Sequence, residues 1–292
     1  MKPIAPSELI INSRGAVYHL DVRPEELAPT VVTVGDPARV AAVSKYFDQI
    51  DYKREHREFI THTGRIGQKR ITVLSSGIGP DNIDIVMNEI DALVNVDLDT
   101  RLPKPELSTL KIVRLGTTGS LQKDIPIDSL VASTHGLGID NLLHYYRMEP
   151  TAEETTLLES FCAQTQFHQL SGAPYLSSAA PALLSLFAKD LHSGITITAP
   201  GFYGPQGRVV RLGLKHPGFV DSLTHFRHGM HRISNMEMET AAIYGLGRLL
   251  GHQCLALNAV VANRVSQTFS ENINAAVEKL IQHFLRTFAE AL

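Results

Sequence analysis

The stretch TVVTVGDPARV, residues 30–40, decides the fold class. Thr30 to Val34 are β-favouring and wholly apolar or small, as in a strand buried on both faces. Gly35 and Asp36 then free and cap the backbone, and Pro37 opens a helical pattern that runs to residue 47. The same grammar recurs. Residues 71–74 (ITVL) run into Ser75-Ser76-Gly77-Ile78-Gly79, followed by a helical pattern over 82–96. Residues 111–115 (KIVRL) run into Gly116-Thr117-Thr118-Gly119, and residues 255–262 (LALNAVVA) into Asn263-Arg264. Further helices are expected at 151–165, 180–191, 237–250 with Gly251 as C-cap, and 271–292. Strands alternating with helices predict an α/β protein with three layers as the default, in one domain over residues 1–292. The segment 136–194 has the weakest patterning.

The totals narrow the function. The chain has 27 basic and 30 acidic residues, a formal net charge of −3, which argues against a nucleic-acid partner. Its two cysteines, Cys162 and Cys254, are far apart and in apolar surroundings, so a disulfide framework is not expected and a reducing cytoplasm is. The N-terminal MKPIAPSELI lacks the apolar stretch of a signal peptide, and the longest apolar runs are strand-sized, so no membrane span is expected.

Ligands of open α/β sheets sit beyond the carboxyl ends of the strands. Gly35-Asp36-Pro37-Ala38-Arg39 offers a free turn and an arginine one helical turn in. Arg114-Leu115-Gly116-Thr117-Thr118-Gly119 offers an arginine at a strand end, then glycines around two threonines. Charged forks, hydroxyls and backbone N–H groups are what a phosphate needs. Each motif alone reads as a turn or loop, and neither is a Walker loop or a dinucleotide fingerprint. Arg54-Glu55-His56-Arg57-Glu58-Phe59 alternates charge as a solvated edge would. Pro200-Gly201-Phe202-Tyr203-Gly204-Pro205-Gln206-Gly207-Arg208 reads as a loop whose glutamine and arginine could meet the edge of a heterocycle, with an aromatic to pack on its ring or on a sugar. In SNMEMETAA, residues 234–242, Ser234 and Glu237 read as a capping box. That leaves Met238 and Glu239 unexplained. His216, His225, His228 and His231 cluster in sequence, but no cysteine or carboxylate pattern completes a metal site, and they read as decoration of a loop.

Taken in order, VGDPARV at 34–40, HREF at 56–59, SSGIG at 75–79, RLGTTGSLQ at 114–122, FYGPQGR at 202–208, NMEMETAA at 235–242 and VVANR at 260–264 resemble the nucleoside phosphorylase-I family, and within it the uridine phosphorylases. The resemblance implies a three-layer α/β/α sandwich around a mixed, partly barrel-like sheet. It implies reversible phosphorolysis, uridine plus phosphate giving uracil and ribose 1-phosphate, with phosphate as co-substrate and no cofactor. By matching motif, Gly35, Arg39, Arg114 and Thr117 would bind phosphate. Arg57 would reach the phosphate of a neighbouring subunit, and His19 the neighbour's ribose 5′-hydroxyl, so a homodimer or hexamer with shared sites is implied. Thr118, Gly119, Phe202, Gln206 and Arg208 would form the base pocket. Met238 and Glu239 would hold ribose, with Glu237 beside them.

A carboxylate such as Glu239 can accept from both ribose hydroxyls, and with phosphate it would stabilise the positive charge that builds on the sugar as the glycosidic bond breaks. Arg208 would meet the negative charge on the departing base, and Arg114 would hold the attacking phosphate. Purine-cleaving relatives place an aspartate after the strand that ends near 262, where this chain has Asn263-Arg264. That difference and the Gln-x-Arg pair favour a pyrimidine. The chain departs from many bacterial relatives at Pro80-Asp81-Asn82, where a serine helps bind potassium together with the glutamate matching Glu58. The potassium site is therefore in question. It departs also at Gly207 and over 136–194. The alternatives are a purine nucleoside phosphorylase, a nucleosidase, or a non-catalytic nucleoside-binding protein on the same fold.

Overall fold

Residues Thr30–Val34 form β1, buried at every position. The computed structural model describes residues 2–167 and 172–291, so Leu292, the last residue of the expected terminal helix, and 168–171 within the weakly patterned segment lie outside the description. The chain forms two compact units. The first runs to Val113 and includes Leu250–Gln253; the second comprises Arg114–Leu249 and the residues from Cys254 onward.

In the first unit, Asp36 caps α1 (Pro37–Ser44), its carboxylate accepting from the Ala38 N–H at 2.9 Å, with Pro37 at the first helical position where no N–H is needed. Strands β2 (Gln49–His56), β3 (Phe59–Ile66) and β4 (Lys69–Ser75) form an antiparallel meander, and β4 returns parallel to β1. Helix α2 (Pro80–Asn95) buries Ile83, Val86, Met87, Ile90 and Leu93, one apolar stripe at helical spacing. The short strands β5 (Val96–Asp97) and β6 (Leu102–Pro103) pair antiparallel directly after α2.

Strand β7, Lys111–Ser120, is twice as long as read. Gly116-Thr117-Thr118-Gly119 is not a loop beyond the strand but its second half. The reason lies in its partner: Gly119 and Ser120 pair with Met236 and Asn235, and Thr118 donates to the Met236 carbonyl at 2.8 Å. A glycine-flanked hydroxyl pair has low strand propensity on its own, and the pairing overrides it.

The second unit continues with β8 (Leu130–Gly138), α3 (Ala152–Thr165), β9 (Tyr175–Ser178), α4 (Pro181–Phe187) and β10 (His192–Thr198). Then follow α5 (Phe219–His225), β11 (Arg227–His228), β12 (His231–Glu237), α6 (Thr240–Leu250), β13 (Gln253–Asn263), β14 (Thr268–Phe269) and α7 (Ile273–Glu290). Strands β7, β13, β8, β10 and β12 lie in that order, and β12 returns to β7, so these five close on themselves as a small barrel. Register shifts in β10 at Gly194–Ile195 and Ile195–Thr196 supply the bends that closure needs. The class expected from sequence, α/β around a mixed and partly barrel-like sheet, is the one observed.

The helix expected over 237–250 begins only at Thr240. Residues 231–237 are a buried parallel strand beside β10, and the expected capping box does not form. The Ser234 hydroxyl donates instead to Asn235 Oδ1 at 2.6 Å.

Candidate active site

The barrel seam sets the chemistry of the second unit. Arg114, on β7, is 4% exposed, and Glu237 and Glu239, at and just beyond the end of β12, are 5% and 3% exposed. Arg114 Nε donates to Glu237 Oε2 at 3.2 Å, and its Nη2 donates to Glu239 Oε2. Gly116 makes this possible: a Cβ there would lie 2.5 Å from Asn258 Oδ1 and 3.1 Å from the Arg114 guanidinium. Glu237 also accepts from the Thr198 hydroxyl at 2.7 Å and from the Glu239 and Thr240 N–H groups at 3.0 Å. It caps α6, though from the strand side rather than from inside the helix. The positive end of α6 and one guanidinium thus compensate two buried carboxylates. Among the described residues Arg114 Nη1 is buried with no hydrogen-bond partner. A buried guanidinium nitrogen without an acceptor is a place for an acceptor from outside the chain, and an oxyanion suits it. Met238 is partly exposed between the two acids, and Thr117 is the partly exposed member of the threonine pair. Thr118 is spent on the seam, accepting from Asn235 Nδ2 at 2.8 Å while it donates to β12.

A second cluster sits on the loop 200–208, which has the irregular form read from sequence, with a single 3₁₀ turn at Gly204–Gln206. Arg208 stacks on the Phe202 ring, 3.8 Å from its centroid, and donates from Nη1 to Gln206 Oε1 and to the Phe202 carbonyl, both at 2.7 Å. Gln206 is buried, Arg208 half-buried, and Phe202 exposed. Burial first, and then the like charge of Arg264, lower the Arg208 pKa to about 10. Arg264 donates from Nη1 to the Gln206 carbonyl at 2.8 Å. Sequence gives Arg264 no role of its own, its one signal being its place directly after the strand, where purine-cleaving relatives carry an aspartate. The expected base-pocket group therefore divides. Arg208 touches both Phe202 and Gln206, whereas Thr118 belongs to the seam, and Gly119 lies near Arg264, whose Cγ would be 3.7 Å from an added Cβ. The loop also borders a cavity of about 320 Å³ lined by Gly204, Pro205, Gly207, Leu214, His216 and Phe219. Of the other histidines, His231 faces Glu153 at 3.5 Å and His225 lies exposed on α5.

The remaining expected residues belong to the first unit. Gly35 and Arg39 lie at the β1–α1 junction, partly exposed. Arg57 is exposed at the β2–β3 turn with φ 56°, a left-handed conformation that a two-residue hairpin turn requires. His19 and Arg57 meet through Tyr18. The Tyr18 ring stands edge-on to His19 with centroids 5.0 Å apart, and the Arg57 guanidinium lies over it at 5.9 Å. Gly77, with φ 70°, has Asn82 and Glu58 beside it; a Cβ would be 2.3 Å from Asn82 Nδ2. The Asn82 amide, in the segment that departs from the bacterial pattern, is packed against Gly77.

The model of the phosphorylase superfamily matches residues 29–289. The chain is 30% identical over 258 residues to a uridine phosphorylase of Thermococcus kodakarensis, covering 88% of this chain and 81% of the relative. It is 24% identical over 280 residues to a DeoD-type purine nucleoside phosphorylase of Streptococcus suis, covering 90% and 98%. Among solved structures it superposes on a Trypanosoma brucei nucleoside phosphorylase, described as showing uridine phosphorylase activity, with a TM-score of 0.88 at 32% identity, covering 96% of this chain and 98% of that one. Match, relatives and fold agree on one conclusion: the chain belongs to the phosphorylase superfamily, as an enzyme of pentosyl transfer.

Proposed function

We propose that the enzyme cleaves pyrimidine nucleosides by phosphorolysis, uridine and phosphate giving uracil and ribose 1-phosphate. Phosphate is the co-substrate, bound by Gly35, Arg39, Arg114 and Thr117, and by Arg57 from a neighbouring copy. No cofactor is required, and no step is assigned to a potassium ion. The whole chain acts as one phosphorylase domain, in the cytoplasm, as a homodimer or hexamer with shared sites.

One observation favours a pyrimidine over a purine. Where a purine-cleaving site needs a proton donor, Asn263 is fully committed to structure. Its Nδ2 donates to the Gln122 and Ile125 carbonyls, and its Oδ1 accepts from the Val265 and Ser266 N–H groups, all at 2.9 Å. The neighbouring cationic groups, Arg208 and Arg264, suit an oxygen-rich base that leaves as an anion. The mechanism then uses groups already described. Arg114 holds phosphate through its unpartnered nitrogen while keeping Glu239 in place for the ribose hydroxyls. Negative charge from Glu239 and phosphate meets the oxocarbenium-like sugar, and Arg208 and Gln206 take the charge on uracil. No covalent enzyme intermediate is needed.

The test is a panel of uridine, thymidine, inosine and adenosine, each with and without phosphate, following free base. Uracil release that depends on phosphate is expected. Faster cleavage of inosine would move the reading to a purine phosphorylase, base release without phosphate to a nucleosidase, and binding without turnover to a nucleoside-binding protein.

A further inference from the structure

We infer that Glu89 is a positioning residue that fixes the tautomer of His19, so that His19 presents Nε2 outward as a hydrogen-bond acceptor. The inference deepens the proposed function and rests on its assignment of His19 to the ribose 5′-hydroxyl.

Glu89 lies on the buried face of α2. Its carboxylate gathers three donors from one short stretch of chain. Oε1 lies 2.6 Å from His19 Nδ1 and 3.0 Å from the His19 N–H, and Oε2 accepts from the Leu20 N–H at 2.9 Å. An ionised carboxylate can only accept, and the two backbone groups can only donate. The contact at 2.6 Å therefore places the proton on Nδ1. In the neutral imidazole the lone pair is then on Nε2. Orientation is fixed as well. The His19 carbonyl accepts from His56 Nδ1 at 3.0 Å, and Tyr18 stands edge-on to the His19 and His56 rings, at 5.0 and 6.0 Å. Backbone and ring are held from three sides, yet 28% of the His19 side chain remains open. Beyond satisfying the two backbone N–H groups, Glu89 dictates which imidazole nitrogen faces out. A sugar hydroxyl is the class of group this arrangement suits, since it can donate to Nε2 without a charge being formed or lost.

Nitrogen NMR of the imidazole tests this directly. In wild-type enzyme at alkaline pH, His19 Nδ1 should carry the proton and Nε2 should be bare. In Glu89→Ala the two tautomers should mix. A wild-type His19 protonated at Nε2 would overturn the inference whatever the kinetics show, and this reading does not depend on a variant that folds. Kinetics supply the second arm, with uridine and 5′-deoxyuridine compared in His19→Ala, Glu89→Ala and Glu89→Gln. His19→Ala and Glu89→Ala should each raise KM for uridine on the order of 5-fold, the worth of one hydrogen bond, with kcat little changed. Neither should change KM for 5′-deoxyuridine. Glu89→Gln, which keeps an acceptor for Nδ1, should recover part of the loss. If Glu89→Ala raised both KM values alike, Glu89 would be structural only and the inference would fail. If His19→Ala failed to distinguish the two substrates, the assignment of His19 to the 5′-hydroxyl would fail instead, while the tautomer result stood or fell on the spectrum.

Discussion

Arg114 and Arg208 are both guanidinium groups of the second unit, and they are held in opposite ways. Arg114 is buried between two carboxylates, of which Glu237 is itself held by Thr198 and the start of α6. Arg208 is half-buried and stacked on an exposed ring, and its side-chain neighbours are a glutamine and a second arginine. The first is charge-compensated and its geometry is set before any ligand arrives. The second has no carboxylate partner among the described residues, and an anion would suit it. A cation built into the framework suits a phosphate and sugar that must be aligned, whereas an exposed, repelled cation suits a leaving group whose charge appears only during reaction.

This contrast can be broken in order of expected effect. Arg114→Leu leaves two buried carboxylates facing each other. Turnover with uridine should fall roughly 10³-fold, and stability in urea should drop by about 3–5 kcal/mol. Arg208→Ala should cost kcat/KM about 10²-fold but shift stability by no more than about 0.5 kcal/mol. Equal stability losses for the two would erase the distinction. Thr198→Val removes one donor from Glu237 and the acceptor of the Ala241 N–H, which lies at 2.9 Å. The unfolding free energy should fall by about 2 kcal/mol, with KM for phosphate rising as Glu237, which holds Arg114, loses one of its own partners. The smallest effect is one of pH. Arg208 is charged below about 10 and neutral above it. The kcat/KM for uridine should therefore fall as pH rises through that value. In Arg264→Gln, with the like charge gone, the limb should move to higher pH; an unmoved limb would mean that Arg264 does not act on Arg208.

The α/β pattern was legible because β1, α1 and the helix after β4 each carry their own local signals: valine runs, Asp36-Pro37, and the stripe on α2. What failed locally was decided by distant partners. Gly116 to Gly119 looked like a loop and Ser234 to Glu237 like a helix start, because the pairing of β7 with β12 lies more than a hundred residues away in sequence. Glu237 caps a helix as expected, but as the end of a strand, so the motif was right in chemistry and wrong in geometry. Arg264 carried no motif of its own and acquires meaning only from the backbone carbonyls it meets. Glu89 was unremarked because a lone acid on a helical pattern reads as surface, and nothing near it in sequence points back to His19.

The register of the seam pairs Asn235 with Ser120 and Met236 with Gly119, and these adjoin Glu237 on one strand and Thr118 on the other. Closing the ring and aligning the reactive groups are one event. A substitution that opens the seam should thus abolish turnover together with closure, and a simple screen for activity would double as a screen for an intact fastening.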